Sequence, residues 1–210
     1  MLKILIADDH AILRKGLREI LARELEGAVF GEAKDAQQVF TEVQRQHWDL
    51  VILDISMPGR SGLDVLRDLK REQPQLPVLV LSMHPETQYG KRVLKAGAAG
   101  YLNKESAPEE LVQAIHKLLN GGRYVSPALA EKLAFDLSLE SDQFPHERLS
   151  DRELEVLRMM ASGKTVSQIA ETLHLSVTTV STYRARLLEK MNMKTTAELM
   201  HYGLSHGLVG

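Results

Sequence analysis

The sequence predicts an α/β domain, a doubly wound five-stranded parallel sheet, followed by a second, all-α domain containing a helix-turn-helix. Three observations carry this. Up to about residue 120 short apolar runs alternate with amphipathic stretches, the pattern of βα units. Beyond Leu149 the strand pattern stops and helix caps take over. Four of the apolar runs end in acids, a hydroxyl or an ammonium, and functional groups gather at that end of an open α/β sheet.

Strands are expected at 2–7, 28–33, 49–54, 78–82 and 100–103, and helices near 11–25, 36–46, 61–72, 87–96 and 107–120. In the last of these, Leu111, Ile115, Leu118 and Leu119 recur at helical spacing, and Gly121-Gly122 ends it as a C-terminal cap does. Residues 121–148 read as a flexible or semi-ordered linker. Its short apolar piece at 128–137 is free to dock on either domain. From 149 to 210 the chain is helical. Ser150 and Glu153 form a capping box that opens a helix through about 161, where Gly163 follows. Further helices are expected over Val166–Leu173, Val177–Met191 (capped by Ser176) and Ala197–His206, and the short turns between them suit a helix-turn-helix.

Composition narrows the function classes. Of 210 residues, 44% are apolar and 26% charged, as in an ordinary globular protein. With no cysteine there is no disulfide scaffold, thiolate metal site or cysteine nucleophile. No apolar run approaches the roughly 18 residues of a membrane span, so a cytoplasmic protein is expected. A net charge of −2 makes no global case for nucleic acid, so any such case must be local.

The strand ends carry the chemistry. Ile4-Leu5-Ile6-Ala7 ends in Asp8-Asp9, Ile52-Leu53 in Asp54, Val78-Leu79-Val80-Leu81 in Ser82, and Tyr101-Leu102-Asn103 in Lys104. Crowded carboxylates are relieved by protonation or by a cation, and Mg2+ fits one or two of them while keeping waters. The expected ligands are Asp9 and Asp54, with Asp8 directly or through water, and the Ser56 backbone carbonyl. Asp54 then serves as a nucleophile toward a phosphoryl group, Lys104 offsets charge on the phosphoryl oxygens, and Ser82 hydrogen-bonds the product. Taken singly, each residue has a plainer meaning: Asp8-Asp9 an N-cap pair, Asp54 a turn acid, Ser82 a strand-end hydroxyl, Lys104 a surface lysine. Their shared position at the ends of four strands of one sheet favours the site.

Residues 1–120 resemble the receiver domain of two-component response regulators, a flavodoxin-like fold. The matching motifs are Asp8-Asp9, Asp54 with Met57-Pro58-Gly59, Ser82, and Gly97-Ala98-Ala99-Gly100-Tyr101-Leu102-Asn103-Lys104. The resemblance implies that Asp54 takes a phosphoryl group from a sensor histidine kinase. It also implies that Ser82 and Tyr101 form a switch, with Tyr101 turning inward on phosphorylation. Glu105 departs from the proline that many receivers carry there.

In the C-terminal part, apolar Val180, Leu187 and Met191 mark an inward face, and four cations (Arg184, Arg186, Lys190, Lys194) stand against Glu189 between 178 and 194. Periodicity alone leaves open a plain helical bundle with a basic face. So few cations suit weak monomer binding to DNA phosphates, strengthened by dimerisation on paired half-sites. Leu149-Ser150, Arg152-Glu153, Glu155-Val156-Leu157, Ala161, Gly163, Ile169-Ala170, Leu173, Ser176, Thr179-Val180 and Lys190-Met191 closely resemble the LuxR-type helix-turn-helix. A receiver joined to it is the arrangement of the NarL/FixJ class of transcriptional regulators. By position, the resemblance implies that Thr179 and Lys190 hold phosphates while Ser181, Thr182 and Ala185 face bases, on a helix that also carries Tyr183, Arg184 and Arg186. Ser181 and Ala185 replace residues that are often basic, Tyr183 a common histidine and Val166 a common asparagine, so Arg184 or Arg186 is open as a guanine reader. The expected partners are a sensor histidine kinase and double-stranded DNA, with a homodimer on phosphorylation. The rivals are a small-metabolite phosphatase and a receiver whose helical domain is a protein adaptor.

Overall fold

A computed structural model describes residues 1–57, 60–138 and 144–209; Pro58 and Gly59 of the expected motif, and 139–143 of the expected linker, lie outside them. The chain forms two compact units, Met1–Ser138 and Leu139–Gly210.

In the first unit the strands are β1 Lys3–Ala7, β2 Val29–Ala33, β3 Leu50–Asp54, β4 Val78–Ser82 and β5 Gly100–Asn103. All neighbours pair in parallel, in the order β2-β1-β3-β4-β5. Strands β3 and β4 are buried along their whole length, as inner strands covered by helices on both faces must be. The period-2 alternation of side chains divides the apolar residues into two cores. Ile4, Ile6, Leu50, Ile52, Leu79, Leu81 and Leu102 pack with Leu17 and Leu21 of α1 (Ala11–Glu24) and with Leu111, Ile115 and Leu118 of α5 (Ala107–Leu119). Leu5, Val51, Leu53, Val78, Val80 and Tyr101 pack on the other side with α2 (Ala36–Arg45), α3 (Gly62–Glu72) and α4 (Glu86–Lys95).

In the first half of the expected linker, the apolar piece that the sequence leaves free to dock on either domain lies on the first unit. Tyr124 joins the edge of β5 by backbone bonds, its N–H donating to Ala99 O at 2.9 Å and its carbonyl accepting from Tyr101 N at 3.3 Å. Residues Pro127–Ser138 then form helix α6, which packs on α4. Leu129 is fully buried in the α2–α4 core, with Val125 and Leu133 against it. Ser126 Oγ accepts the Leu129 N–H at 3.1 Å and also bonds Glu86 of α4. Burial of Leu129 supplies the driving force that a solvated linker lacks.

The second unit has a 3-10 turn at Pro145–Arg148 and helices α7 Asp151–Ala161, α8 Val166–Thr172, α9 Val177–Lys190 and α10 Thr196–Ser205. Each helix starts at a hydroxyl cap: Ser150 and Thr165 head full capping boxes with Glu153 and Gln168, while Ser176 and Thr195 accept from Thr179 and Glu198 amides. His174 and Asn192, at φ 51° and 52°, take the left-handed conformation just past α8 and α9. Leu154, Val156, Leu157, Met160, Ile169, Val180, Leu187 and Leu199 make the core.

Candidate functional site

At the carboxyl ends of β1, β3 and β5, Asp8, Asp54 and Lys104 come together. Asp8 and Asp54 are 2% and 1% exposed, and the Lys104 ammonium lies 2.7 Å from an Oδ2 of each. Asp54 Oδ1 accepts the Ser56 N–H at 2.8 Å, which fixes the carboxylate's orientation. Burial pushes the Asp54 carboxyl up, with Lys104 pulling against it and Asp8 adding to the rise. For Lys104, burial works against the charge, but Asp54 and Asp8 outweigh it and raise the ammonium's pKa.

Asp9 is partly exposed beside this pair, and candidate ligand atoms of Asp8, Asp9, His10 and Asp54 all lie within 4.8 Å of one another. Asp8 Oδ2 and Asp9 Oδ1 are buried and accept no hydrogen bond of good geometry among the described residues, although the Lys104 ammonium stands near the first and His10 Nδ1 near the second. Two such oxygens beside a third carboxylate suit a hard divalent cation. The Ser56 N–H is turned to Asp54.

His10 escaped the sequence reading. Its N–H donates to Asp8 Oδ1 at 2.7 Å and its Nδ1 lies 2.9 Å from Asp9 Oδ1. Its place directly after the acid pair was the available signal. Arg14, one turn into α1, donates to the Asp8 carbonyl at 2.6 Å and secures the same loop.

Ser82 is fully buried at the end of β4, its Oγ accepting the His84 N–H at 3.0 Å, while its carbonyl accepts the Lys104 N–H at 2.9 Å. Tyr101 is fully buried, and its hydroxyl donates to the His84 carbonyl at 2.7 Å. The expected switch pair is thus joined through one residue's backbone. The Tyr101 side chain stands inward in this structure, where the ring gains the apolar core and the hydroxyl a partner. The His84 ring stacks on Tyr89 of α4, centroids 4.6 Å apart.

In the second unit, α8 and α9 form the helix-turn-helix. Val180 and Leu187 face inward and Tyr183 is half-buried against the core. Thr182, Arg184, Ala185 and Arg186 are exposed and Ser181 is partly so. Thr179, expected on a phosphate, is half-buried with its hydroxyl 2.8 Å from Ser176 Oγ. Lys190, expected likewise, gives its ammonium to Glu153 of α7 at 2.7 Å. The carboxylate sits in a capping box at a helix start and the lysine at a helix end, and both placements favour the pair.

Comparison with known proteins agrees with this geometry. Residues 4–116 match the family described as response regulator receiver domain, and 147–203 the family described as bacterial regulatory proteins, luxR family. Response regulator UvrY of Escherichia coli (strain K12) is 37% identical over 210 residues, covering 99% of this chain and 96% of that protein. Response regulator GacA of Pseudomonas aeruginosa is 37% identical over 211 residues, covering 100% and 98%. Among solved structures, RcsB from Salmonella enterica serovar Typhimurium, bound to promoter rprA with phosphomimetic BeF3-, matches with TM-score 0.64 and 29% identity, covering 96% of this chain and 98% of that one. A further structure, of an RcsB–DNA complex, gives 0.59 and 29%, with 96% of each chain covered.

Proposed function

The chain belongs to the response regulators that combine a receiver domain with a LuxR-type DNA-binding domain, and we propose that Asp54 is its phosphoacceptor and α9 its DNA-reading helix. The observation that carries the first assignment is the Lys104 ammonium held 2.7 Å from both Asp8 and Asp54. A buried cation between two buried carboxylates opposes the rise that burial imposes on Asp54 and favours the carboxylate that attacks.

The donor is a phosphohistidine of a sensor histidine kinase. Its N–P bond breaks as an Asp54 oxygen forms the new O–P bond; the leaving nitrogen keeps the electron pair, and the ring departs as neutral imidazole because its other nitrogen carries a proton. Mg2+, held by Asp9 and Asp54, with Asp8 directly or through water, and by the Ser56 carbonyl, would supply charge stabilisation for the phosphoryl oxygens when bound. Lys104 exchanges its contact with Asp54 for one with a phosphoryl oxygen. Ser82 gives its hydroxyl to another, and in turning it releases the His84 N–H. The protein is a signalling acceptor rather than a turnover enzyme, beyond slow loss of its own phosphoryl group.

The output is transcriptional control in the cytoplasm, with the phosphorylated chain binding double-stranded DNA as a homodimer. RcsB is seen on promoter DNA with a phosphomimetic, which supports the same coupling here. Thr179, Ser181, Thr182, Tyr183, Arg184, Ala185, Arg186 and Lys190 form the proposed DNA-binding surface; the Lys190 ammonium is shared with Glu153.

Labelling of the full chain by acetyl phosphate and Mg2+ tests the acceptor. Wild type takes up one phosphoryl group and Asp54→Ala takes up none while keeping its fold. Label on Asp54→Ala overturns the assignment.

A further inference from the structure

The outer face of α9 is unusually poor in charge for a helix that reads DNA. Along its centre run Thr178, Thr182 and Ala185, all exposed, with Ser181 beside them; the next outward position, one turn on, is Glu189. Arg184 and Arg186 are exposed to the two sides of this stripe. No lysine lies among the first thirteen residues of the helix, and its first residue, Val177, is 52% exposed.

The hydroxyls are less available than the composition suggests. Thr182 Oγ1 donates back to the Thr178 carbonyl at 3.0 Å, which turns the hydroxyl to the helix and leaves the methyl outward. Thr179 spends its hydroxyl on the Ser176 cap. Beside the hydroxyls of Thr178 and Ser181, the face offers methyl groups: those of Val177 at the helix start, of Thr182 and of Ala185.

The N-terminal residues of the second helix of a helix-turn-helix contact base edges in the major groove. There the thymine C5-methyl is the apolar feature, and alanine and threonine methyls are its partners. We propose that Val177, Thr182 and Ala185 recognise thymine C5-methyl groups, so that thymines at defined half-site positions are selected by apolar contact. The proposal rests on α9 being the DNA-reading helix.

The test uses the full chain, phosphorylated with acetyl phosphate and Mg2+, and a duplex that it selects from a random pool. Each thymine of a half-site is replaced in turn by deoxyuridine, which removes only the methyl. At one or more positions affinity falls about three- to fivefold, the worth of one buried methyl group. Thr182→Ser deletes the side-chain methyl and retains the hydroxyl. It weakens the thymine duplex by a similar factor and no longer distinguishes thymine from deoxyuridine at one of those positions. Affinity within twofold for every deoxyuridine duplex overturns the proposal. A paired variant, Arg184→Ala with Arg186→Ala, tests the premise: if it binds as wild type does, α9 is not at the DNA. If it loses binding while deoxyuridine has no effect, only methyl recognition fails.

Discussion

Leu129 occupies the space that a side chain on Gly90 would need: a β-carbon built on Gly90 would come within 2.5 Å of Leu129 Cδ2. The bare backbone of α4 at this point is what lets α6 settle into the core. Truncating a fully buried leucine costs about 2–5 kcal/mol when the surroundings cannot collapse. At the chain's edge the same loss is released by local opening of one helix. Leu129→Ala is therefore expected to speed hydrogen exchange across α6 while β3 and β4 keep their protection. Equal loss in the sheet would show that α6 is integral to the unit.

Removal of Lys104 has a different consequence, because it leaves Asp8 and Asp54 buried without their shared cation. Breaking a buried pair by removing one partner costs about 3–5 kcal/mol. Lys104→Ala should lower the melting temperature in EDTA and regain much of it in millimolar Mg2+, by a larger margin than wild type gains. Equal Mg2+ shifts in the two proteins would count against cation binding among these carboxylates.

Much of this arrangement is legible in the sequence. Strands β3 and β4 announce themselves as unbroken apolar runs, because both their faces are covered. A carboxylate at the end of such a run, as at Asp54, is conspicuous since burial penalises it. The surface that receives α6 was not readable: Leu129 and Leu133 declare an apolar face able to dock on either domain, but the receiving site is marked by Gly90, a residue with no side chain to signal it. The Glu153–Lys190 pair was hidden for another reason, since its partners lie 37 residues apart and join different helices.

The Ser82–His84–Tyr101 connection predicts a separation of chemistry from response. Ser82 and Tyr101 meet on the N–H and carbonyl of His84, whose ring rests on Tyr89 of α4, the helix that carries α6. Tyr101→Phe removes one buried hydrogen bond, worth about 0.5–1.5 kcal/mol, and touches neither Asp54 nor Lys104. Phosphorylation by acetyl phosphate should stay within about threefold of wild type, as a change of this size far from the reacting atoms allows. The gain in DNA affinity on phosphorylation should shrink. Parallel loss of labelling and DNA response would place Tyr101 in the acceptor site itself.

The Glu153–Lys190 bridge makes the second unit's stability depend on pH. Burial pushes the Glu153 carboxyl up, but Lys190 and the Ser150 cap outweigh it and hold the group below its ordinary value. A carboxyl whose pKa is depressed by folding contributes stability above its unfolded pKa, about 4.3, and that contribution is lost as pH falls through the folded value. Glu153→Gln keeps an oxygen for the Ser150 N–H but removes the charge facing Lys190. A cost of about 1–2 kcal/mol is expected at pH 7, between that of an exposed ion pair and of a buried charged hydrogen bond. The cost arises only while the wild-type carboxylate is ionised, so the two proteins should converge in denaturant melts taken below the folded pKa. A difference that persists undiminished in acid would assign Glu153 to packing and capping alone.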